Sequence, residues 1–398
     1  MFLFLHNISE SFIFNQMNKI YSAIAATSLM ALAACNSADK QQNITLSGLD
    51  PEKFVTDVNG KKTGLYTLTN ENGMEACITN YGGRIVSIMV PDNKGNMTDV
   101  VLGFDSISDY LPENNKTDFG AAIGRYANRI NQGKIVIEGD TIQLPQNNYG
   151  HCLHGGPDGW QYSIYDVVEA TDNTLKLAMT SPDGDSNFPG NINVVLTYTL
   201  TPDNALDIKY EATSDATSVI NMTNHSYFNL NGNPNEEITN NTLTLAAANF
   251  TPVDSTFMTT GEILPVAGTP MDFTAGRVVG DDIDNFDFEQ IKNGLGYDHN
   301  WVLDNPGNDK IPAATLYSPT TGIVLEVLTD EPGIQVYTGN FLDSTVTGKK
   351  GIVYNPRNAI CLETQKFPDT PNKPQWPSAS ISPEKPYSSH TVFSFSTK

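Results

Sequence analysis

Two histidines of this 398-residue chain lie in short polar segments whose composition suits proton transfer. His154 is followed by a Gly-Gly pair, which lets the backbone approach a ligand closely. In the segment around His225, a strand would place His225, Tyr227 and Asn229 on one face. An imidazole gains and loses a proton near neutral pH, so each histidine is a candidate general acid or base. The alternative for each is a structural histidine with satisfied hydrogen bonds.

A glutamate, Glu363, interrupts an otherwise apolar segment. In a strand, Ile360 and Leu362 would share one face, and Cys361 and Glu363 would share the other. A carboxylate buried without a partner costs free energy, and burial raises its pKa. Glu363 is therefore a candidate general base.

Other polar side chains could bind hydroxyl groups. Asn128 and Arg129 lie side by side in a turn-like segment, and the forked guanidinium suits hydroxyls or carboxylates. Asp298 follows a glycine loop and precedes a strand-like segment, while Gln335 shares a predicted strand face with Tyr337. A structural ion pair at the arginine and a hydrogen-bonded turn at Asp298 are the alternatives.

Other kinds of site have weaker support. His151, Cys152 and His154 have the spacing of metal ligands, but no second cluster supplies the ligands that zinc needs. The His-Gly-Gly segment is similar to a lipase oxyanion loop, yet no Gly-x-Ser-x-Gly motif is present. We expect no metal at the catalytic residues. The oxygen-rich loops 183–187 and 281–284 keep Ca²⁺ as an alternative, although neither has EF-hand spacing.

The composition excludes several classes of function. With 45 acidic and 23 basic side chains the net charge is −22, so nucleic acid is not an expected partner. A soluble protein that acts on neutral or cationic small molecules fits this charge. Three cysteines follow residue 35, namely Cys77, Cys152 and Cys361. Their odd number excludes a fully paired disulfide framework, and we expect small buried thiols.

Residues 1–34 have the pattern of an export signal. Lys19 precedes an apolar run that closes on Leu-Ala-Ala-Cys, as in bacterial lipoprotein signal peptides, where the cysteine (here Cys35) is lipidated. The run is too short for a stable transmembrane span, and Met17 is a more natural start than Met1. An ordinary secretory signal and a buried helix are the alternatives. We therefore predict a leader at 1–34, a polar tether at 35–50 and one domain at 51–398.

Strand signals separated by turns dominate the chain from residue 54 onward. Segments 175–179, 194–200 and 205–212 follow each other at the spacing of antiparallel strands, and Gly139-Asp140 indicates a hairpin. Helical periodicity is confined to 106–111 and 286–295. Six prolines in 368–386 predict a long irregular loop. The pattern predicts an all-β fold, a large antiparallel β-sandwich.

Together and in this order, the motifs resemble those of the aldose 1-epimerase (galactose mutarotase) family. They occupy residues 124–130, 153–156, 181–184, 224–230, 296–300, 332–340 and 363–365. The resemblance extends from about residue 50 to the end, and it implies the galactose mutarotase-like supersandwich.

The resemblance also implies residue roles. His225 would be the general acid that protonates the ring oxygen, Glu363 the general base at the C1 hydroxyl, and His154 would orient the ring. The implied hydroxyl-binding residues are Asn128, Arg129, Tyr227, Asp298 and Gln335. Arg125 belongs to the motif without an expected substrate contact.

The expected activity is interconversion of the anomers of free aldohexoses such as glucose and galactose. It requires no cofactor, because only protons move. We expect a monomer in the bacterial cell envelope, on the periplasmic side or at the outer membrane, held only by the lipid on Cys35. The alternatives are a hexose 6-phosphate epimerase, a noncatalytic sugar-binding lipoprotein, and a glycosidase that uses Asp298 and Glu363 as paired carboxylates.

Overall fold

Short antiparallel strands make up most of the computed structural model, which describes residues 44–58 and 60–398. The first strands are β1 (Asp57–Val58), β2 (Lys61–Lys62), β3 (Leu65–Thr69), β4 (Glu75–Thr79), β5 (Arg84–Pro91), β6 (Met97–Asp99), β7 (Ala121–Ile123), β8 (Arg129–Ile130), β9 (Lys134–Ile137), β10 (Asp140–Gln143), β11 (Cys152–Leu153), β12 (Asp166–Ala170), β13 (Thr174–Ser181), β14 (Ile192–Leu200) and β15 (Ala205–Ser214). The remainder are β16 (Ser218–Val219), β17 (Thr223–His225), β18 (Tyr227–Phe228), β19 (Thr242–Leu245), β20 (Asn249–Thr251), β21 (Leu264–Pro265), β22 (Arg277–Val278), β23 (Asp298–Val302), β24 (Ala314–Tyr317), β25 (Ile323–Thr329), β26 (Gly333–Tyr337), β27 (Ile360–Gln365), β28 (Ser380–Ile381) and β29 (Tyr387–Thr397).

Helical structure is scarce in the described residues. The single α-helix there, α1, spans Glu289–Gly294. Short 3₁₀ helices occupy Pro51–Phe54, Ile107–Tyr110, Asn131–Gly133, Trp160–Tyr162, Asp185–Asn187, Ile238–Asn240, Val279–Asp281, Lys349–Gly351 and Thr370–Asn372. Both segments with predicted helical periodicity therefore contain a short helix.

Three sheets form the body of the molecule. The largest has nine strands in the order β12-β13-β14-β15-β29-β25-β24-β19-β22. A six-stranded sheet has the order β18-β27-β26-β23-β20-β21, and a four-stranded sheet the order β3-β4-β5-β6. Two-stranded pairs, such as β7 with β17 and β8 with β11, link them. The strand pairs are antiparallel, so the predicted antiparallel all-β sandwich is confirmed.

The main core lies between the nine-stranded sheet and the other two sheets. In β14 every second residue, from Ile192 to Leu200, is buried, as expected when one face of a strand meets the core. These side chains share one apolar cluster with Val336 of β26 and with Ile360 and Leu362 of β27. Burial of this continuous surface is the main driving force for the fold.

The six-stranded sheet is covered on both faces. All residues of β26 and β27 are buried, although only alternate residues belong to the main core. On the opposite face, Tyr337 and Cys361 pack in a second apolar cluster, and the polar side chains Gln335 and Glu363 share that face. The sheet therefore holds polar groups away from bulk water on a rigid surface.

The predicted hairpin is present, with its turn one residue earlier than expected. Strand β9 pairs with β10 through a two-residue turn of Glu138 and Gly139. Both residues have positive φ, at 54° and 95°, as the turn type that matches strand twist requires. The proline-rich segment 368–386 is mostly irregular, as predicted, and it contains one 3₁₀ turn and β28.

The predicted leader, Cys35 and most of the tether lie outside the described residues. The end of the predicted tether contacts the domain, because Leu49 is buried and the Leu46 amide donates to the Glu75 carboxylate (2.8 Å). None of the helices in segments 44–58 and 60–398 is long and apolar enough to cross a membrane.

Candidate active site

A cavity of about 350 Å³ opens above the polar face of β26 and β27. It brings together seven of the eight predicted catalytic and binding residues: Asn128, Arg129, His154, His225, Tyr227, Asp298 and Glu363. The eighth, Gln335, lies behind this lining, where its Nε2 donates to Asp298 Oδ1 (2.7 Å). A larger surface cavity of about 490 Å³ near Arg277 contains none of them.

Backbone hydrogen bonds fix the position of His225. Strand β17 pairs with β7, which puts His225 opposite Ala121, and Gly120 N donates to His225 O (3.0 Å). The next residue breaks the strand, since Ser226 N donates to Asn224 Oδ1 (3.1 Å). The His225 ring then stacks on Tyr227, with ring centres 5.1 Å apart.

Glu363 lies directly across from this imidazole. Its Oε1 is 3.4 Å from His225 Nε2, and the two side chains are 2% and 6% exposed. Strand register sets Gln335 of β26 opposite Glu363 of β27, and Asn300 of β23 opposite Gln335. Neither Glu363 Oε2 nor His225 Nδ1 has a hydrogen-bond partner. Both groups of this acid–base pair thus retain capacity for a ligand.

Burial moves the pKa values of the pair toward each other. It raises the pKa of Glu363 well above its ordinary value, and the negative charge of Asp298 acts in the same direction. It lowers the pKa of His225, against the opposing effect of the Asp118 carboxylate. The dry environment therefore favours neutral forms of both groups, and only nearby charges favour the ion pair.

His154 is held as a neutral donor. The Asn128 backbone N–H donates to His154 Nδ1 (3.1 Å), which leaves the proton on Nε2. Burial lowers the pKa of His154 well below its ordinary value, and the neighbouring His225 and Arg129 act in the same direction. His154 and His225 meet edge to face, with ring centres 5.3 Å apart.

A buried cation and a buried anion complete the wall of the cavity. Arg129 Nε donates to Asn148 Oδ1 (3.1 Å), and its guanidinium lies over the Phe257 ring. Burial lowers the pKa of Arg129, while the carboxylates of Asp298 and Glu363 oppose that shift. Burial likewise raises the pKa of Asp298, which Arg129 opposes. Such side chains supply donors and acceptors for several hydroxyl groups.

Several motif residues lie away from the cavity. Arg125 donates to Ser181 Oγ (2.6 Å) and to the carbonyls of Pro189 and Gly190, so it joins two loops of the fold. This agrees with its expected lack of substrate contact. Asn229 is also structural, because its Nδ2 donates to three backbone carbonyls.

Other residues considered as ligands also serve the fold. His151 accepts a hydrogen bond from Gln132 N (3.0 Å) and contacts Thr256 Oγ1 (2.9 Å), so it forms no metal pair with His154. Three aromatic residues in or near the motifs are buried in the core and do not line the cavity: Tyr126, Trp160 and Phe228. The described cysteines, Cys77, Cys152 and Cys361, are unpaired and buried, as expected.

Sequence reasoning missed some cavity residues. Asp118, Tyr149 and Phe341 line it, although they lie in irregular segments. A lone acid before Phe-Gly-Ala was the only signal for Asp118. Tyr337 also lines the cavity, and its shared face with Gln335 was predictable from strand periodicity.

Side-chain atoms of the types that bind metals lie close together around His225 and Glu363. One atom each of His225, Cys361 and Glu363 lie within 4.8 Å of one another, and so do those of Asp118, His154 and His225. A bound metal and a transferred proton would use the same lone pairs of these groups.

The acidic loops considered for calcium have internal partners. Asp282 is ion-paired with Arg277, and Asp284 lies 3.3 Å from Arg357. In the other loop, the Asp183 carboxylate accepts a hydrogen bond from Gly190 N (2.7 Å). These three carboxylates of the two loops therefore have partners within the protein.

Comparison with known sequences identifies the family. The sequence model of the Aldose 1-epimerase family matches residues 64–394. The galactose mutarotase of Mus musculus is 39% identical over 319 residues, covering 80% of this chain and 90% of the mouse protein. The aldose 1-epimerase of Escherichia coli (strain K12) is 34% identical over 339 residues, covering 84% of this chain and 96% of that protein.

Solved structures agree in fold over nearly their whole length. The GalM/aldose epimerase homologue from C. elegans superimposes with a TM-score of 0.76 at 30% identity, covering 84% of this chain and 99% of that one. The galactose 1-epimerase from Lactobacillus acidophilus NCFM gives 0.75 at 27% identity, covering 86% and 97%. Sequence, fold and site therefore agree, and the chain belongs to the aldose 1-epimerase family.

Proposed function

We propose that this enzyme interconverts the α and β anomers of free aldohexoses such as glucose and galactose. The observation that carries the proposal is the buried His225–Glu363 pair, 3.4 Å apart at the base of a cavity lined with hydroxyl-binding groups. Family membership supports the same reaction. Anomer exchange needs one acid and one base, and this site offers both.

The reaction consists of two coupled proton transfers. Glu363 removes the proton from the C1 hydroxyl while His225 donates a proton to the ring oxygen, so the C1–O5 bond breaks and an open-chain aldehyde forms. Rotation about C1–C2 presents the other face of the carbonyl. The ring closes when the O5 hydroxyl returns its proton to His225 and the carbonyl oxygen takes one from Glu363.

No group is oxidised or reduced in this sequence, so the proposed reaction requires no redox cofactor. It also forms no covalent bond to the protein. A calcium ion is not part of the proposal, because the candidate carboxylates already pair with Arg277, Arg357 and a backbone amide.

The other cavity residues bind and orient the sugar in this proposal. His154 offers an Nε2 proton beside the ring, and Asn128 and Arg129 supply further donors. Asp298 accepts hydrogen bonds from hydroxyl groups, and Gln335 Nε2 donates to its carboxylate (2.7 Å). Tyr227 flanks the His225 ring and presents its hydroxyl at the cavity.

Polarimetry of freshly dissolved α-D-galactose and α-D-glucose tests the reaction. We expect the protein to accelerate the decay of optical rotation, and each of His225→Asn and Glu363→Gln to reduce kcat by about 10²–10⁴-fold. Asp158→Asn, an exposed change outside the catalytic cavity, is the control. Equal decay with folded wild type and with buffer would contradict the proposal.

We further propose that the protein is a lipoprotein of the bacterial cell envelope, on the periplasmic side or at the outer membrane. Residues 1–34 would be removed as a leader, Cys35 would carry the lipid, and residues 35–50 would connect it to a domain at 51–398. The support is the apolar run that ends in Leu-Ala-Ala-Cys. The enzyme would contact the membrane only through this lipid.

Metabolic labelling with radioactive palmitate in a bacterial host tests the anchor. Label should enter the wild-type protein and be absent from Cys35→Ser, while Cys77→Ser serves as the matched control. Wild type without label, or label that persists in Cys35→Ser, would contradict the lipid anchor. We also propose that the enzyme acts as a monomer, which sedimentation of the purified protein measures.

A further inference from the structure

An unassigned carboxylate, Asp118, is built into the wall of the catalytic cavity. It lines this cavity and also a neighbouring one of about 190 Å³. It belongs to the turn that leads into β7, where Ala121 N donates to Asp118 O (3.0 Å). Because β7 pairs with β17, the same turn is bonded to His225 through Gly120 N (3.0 Å).

The turn has little freedom to move. Buried Arg84 donates to the carbonyls on either side of Asp118, at Thr117 (3.0 Å) and Phe119 (3.1 Å). A Cβ atom at Gly120 would lie 1.9 Å from Ile85 O, so only glycine fits there. The backbone that carries this carboxylate is therefore fixed.

The carboxylate lies next to the proposed general acid. One Asp118 oxygen lies within 4.8 Å of ring nitrogens of both His154 and His225. Its Oδ1 is buried and has no hydrogen-bond partner. A carboxylate oxygen that is buried without a partner costs free energy, which the fold accepts here beside an imidazole.

We propose that Asp118 is a positioning residue whose charge keeps the proton of the catalytic pair on His225 and off Glu363. This inference rests on the proposed function of that pair. It assigns Asp118 no contact with the substrate.

The number of protons that His225 and Glu363 share explains why a nearby negative charge is needed. The pair is competent when His225 is protonated and Glu363 is ionised, yet the same total number of protons is present when both are neutral. A change of pH therefore cannot select between these two arrangements. Burial favours the neutral one, and a fixed negative charge nearer to the imidazole favours the ionic one.

The surrounding charges single out Asp118 for this role. The titratable or charged side chains that face His225 are Glu363 and, from the other packed elements, Arg84, Asp118, His154, Tyr227, Tyr337 and Cys361. Among these charges, Asp118 has the largest effect that raises the pKa of His225. Asp118 also raises the pKa of Glu363, where its effect ranks after that of Asp298. Its preference for His225 therefore rests on its position within 4.8 Å of an imidazole nitrogen.

Asp118→Asn removes the charge and keeps the shape. The pKa of His225 should fall by about one pH unit, as is typical for the loss of one charge at this range. The pKa of Glu363 should fall less, so both limbs of the pH–rate profile move to lower pH. At a pH above that of the optimum, kcat should fall by about tenfold, since the protonated fraction changes tenfold per unit.

Two measurements on the purified protein test this, each with matched variants. NMR titration of the labelled histidine rings gives the His225 pKa directly, with His225→Asn to assign the signal. Polarimetry across pH gives the two limbs. Asp118→Glu keeps the charge, so its His225 pKa and pH–rate limbs should be close to those of the wild type. Asp158→Asn, the same change of charge at an exposed position, should shift neither.

The outcomes separate this proposal from the proposed function. An unchanged His225 pKa in Asp118→Asn would overturn the role of Asp118, even if the enzyme is active. Equal shifts in Asp158→Asn would overturn it as well, since they would show a general effect of net charge. A wild type without mutarotase activity would refute the proposed reaction, while the NMR titration would still decide the electrostatic claim.

Discussion

Two buried glutamates, in two regions of the molecule, have opposite surroundings. Glu331 is 1% exposed, and its carboxylate is ion-paired with Lys366 and accepts a hydrogen bond from Tyr387 (3.3 Å). Glu363 is 2% exposed, and among the described residues the one basic group within salt-bridge distance is His225, at 3.4 Å. Its second oxygen has no partner. Glu363 lies in β27, and Lys366 follows that strand directly, so one short segment contributes a residue to each region.

The difference distinguishes a carboxylate with a structural role from the one that we propose as the general base. Partners around Glu331 offset the loss of hydration that burial of a carboxylate causes, so this group has a structural role. Around Glu363 compensation is incomplete, and the raised pKa gives it the basicity that proton removal from a hydroxyl needs. Unpartnered atoms of His225, Gln335 and Asp118 lie in the same region. The region around Glu363 thus contains buried polar atoms with which a ligand could form hydrogen bonds.

The sharpest test of this contrast is Glu363→Gln, because it should separate activity from stability. We expect kcat to fall by about 10²–10⁴-fold while the free energy of unfolding is unchanged or rises. The amide removes a buried charge that lacks full compensation, so the fold loses nothing. Polarimetry and urea denaturation measure the two quantities. A clear loss of stability would place Glu363 with Glu331 as a structural group.

Glu331→Gln should give the reverse result. Loss of the carboxylate leaves Lys366 without its counter-charge, and the free energy of unfolding should fall by about 3 kcal/mol. The kcat of the folded fraction should be unchanged, because Glu331 does not line the catalytic cavity. Glu326→Gln, on the half-exposed side of β25, is the control. If fully folded Glu331→Gln lost most of its kcat, the role of Glu331 would not be purely structural.

A smaller effect is expected from Asp298→Asn. The loss of a charged acceptor should raise KM by about tenfold, corresponding to about 1.4 kcal/mol of binding free energy. Asp298 raises the pKa of Glu363, so its removal lowers that pKa and moves the acid limb of the pH–rate profile to lower pH. Polarimetry at several sugar concentrations and pH values separates the two effects. An unchanged KM would remove Asp298 from the binding residues.

The smallest effect concerns a histidine with a structural role. His390 contacts Asp207 and Asp309, each at 2.8 Å, and these carboxylates raise its pKa to about 9. The unfolded pKa is about 6.5, so this contribution to stability is full below that pH and is lost as pH rises through about 9. The melting temperature of the wild type should therefore fall as pH rises through about 9. In His390→Gln this fall should be smaller. A decline of equal slope in the variant would contradict the assignment.

Strand patterns made much of the fold predictable from sequence. In β13, β14 and β25 one face meets the core and the other faces outward, so the apolar residues alternate and the strands were recognisable. Strands β26 and β27 are buried on both faces, yet alternation between apolar and polar side chains still predicted which face held Glu363 and Gln335. Turn positions were less certain, as the hairpin at Glu138 and Gly139 shows.

The sequence by itself determined the all-β class, the family and the residue types of the acid–base pair, because these depend on local periodicity and on ordered motifs. Only the tertiary structure decided which polar residues meet. It placed His225 and Glu363, which are 138 positions apart in the numbering, at 3.4 Å, and it kept Arg125 and Asn229 out of the cavity. It also revealed Asp118, because proximity and burial set a charge's effect, and neither can be read from the order of residues along a chain.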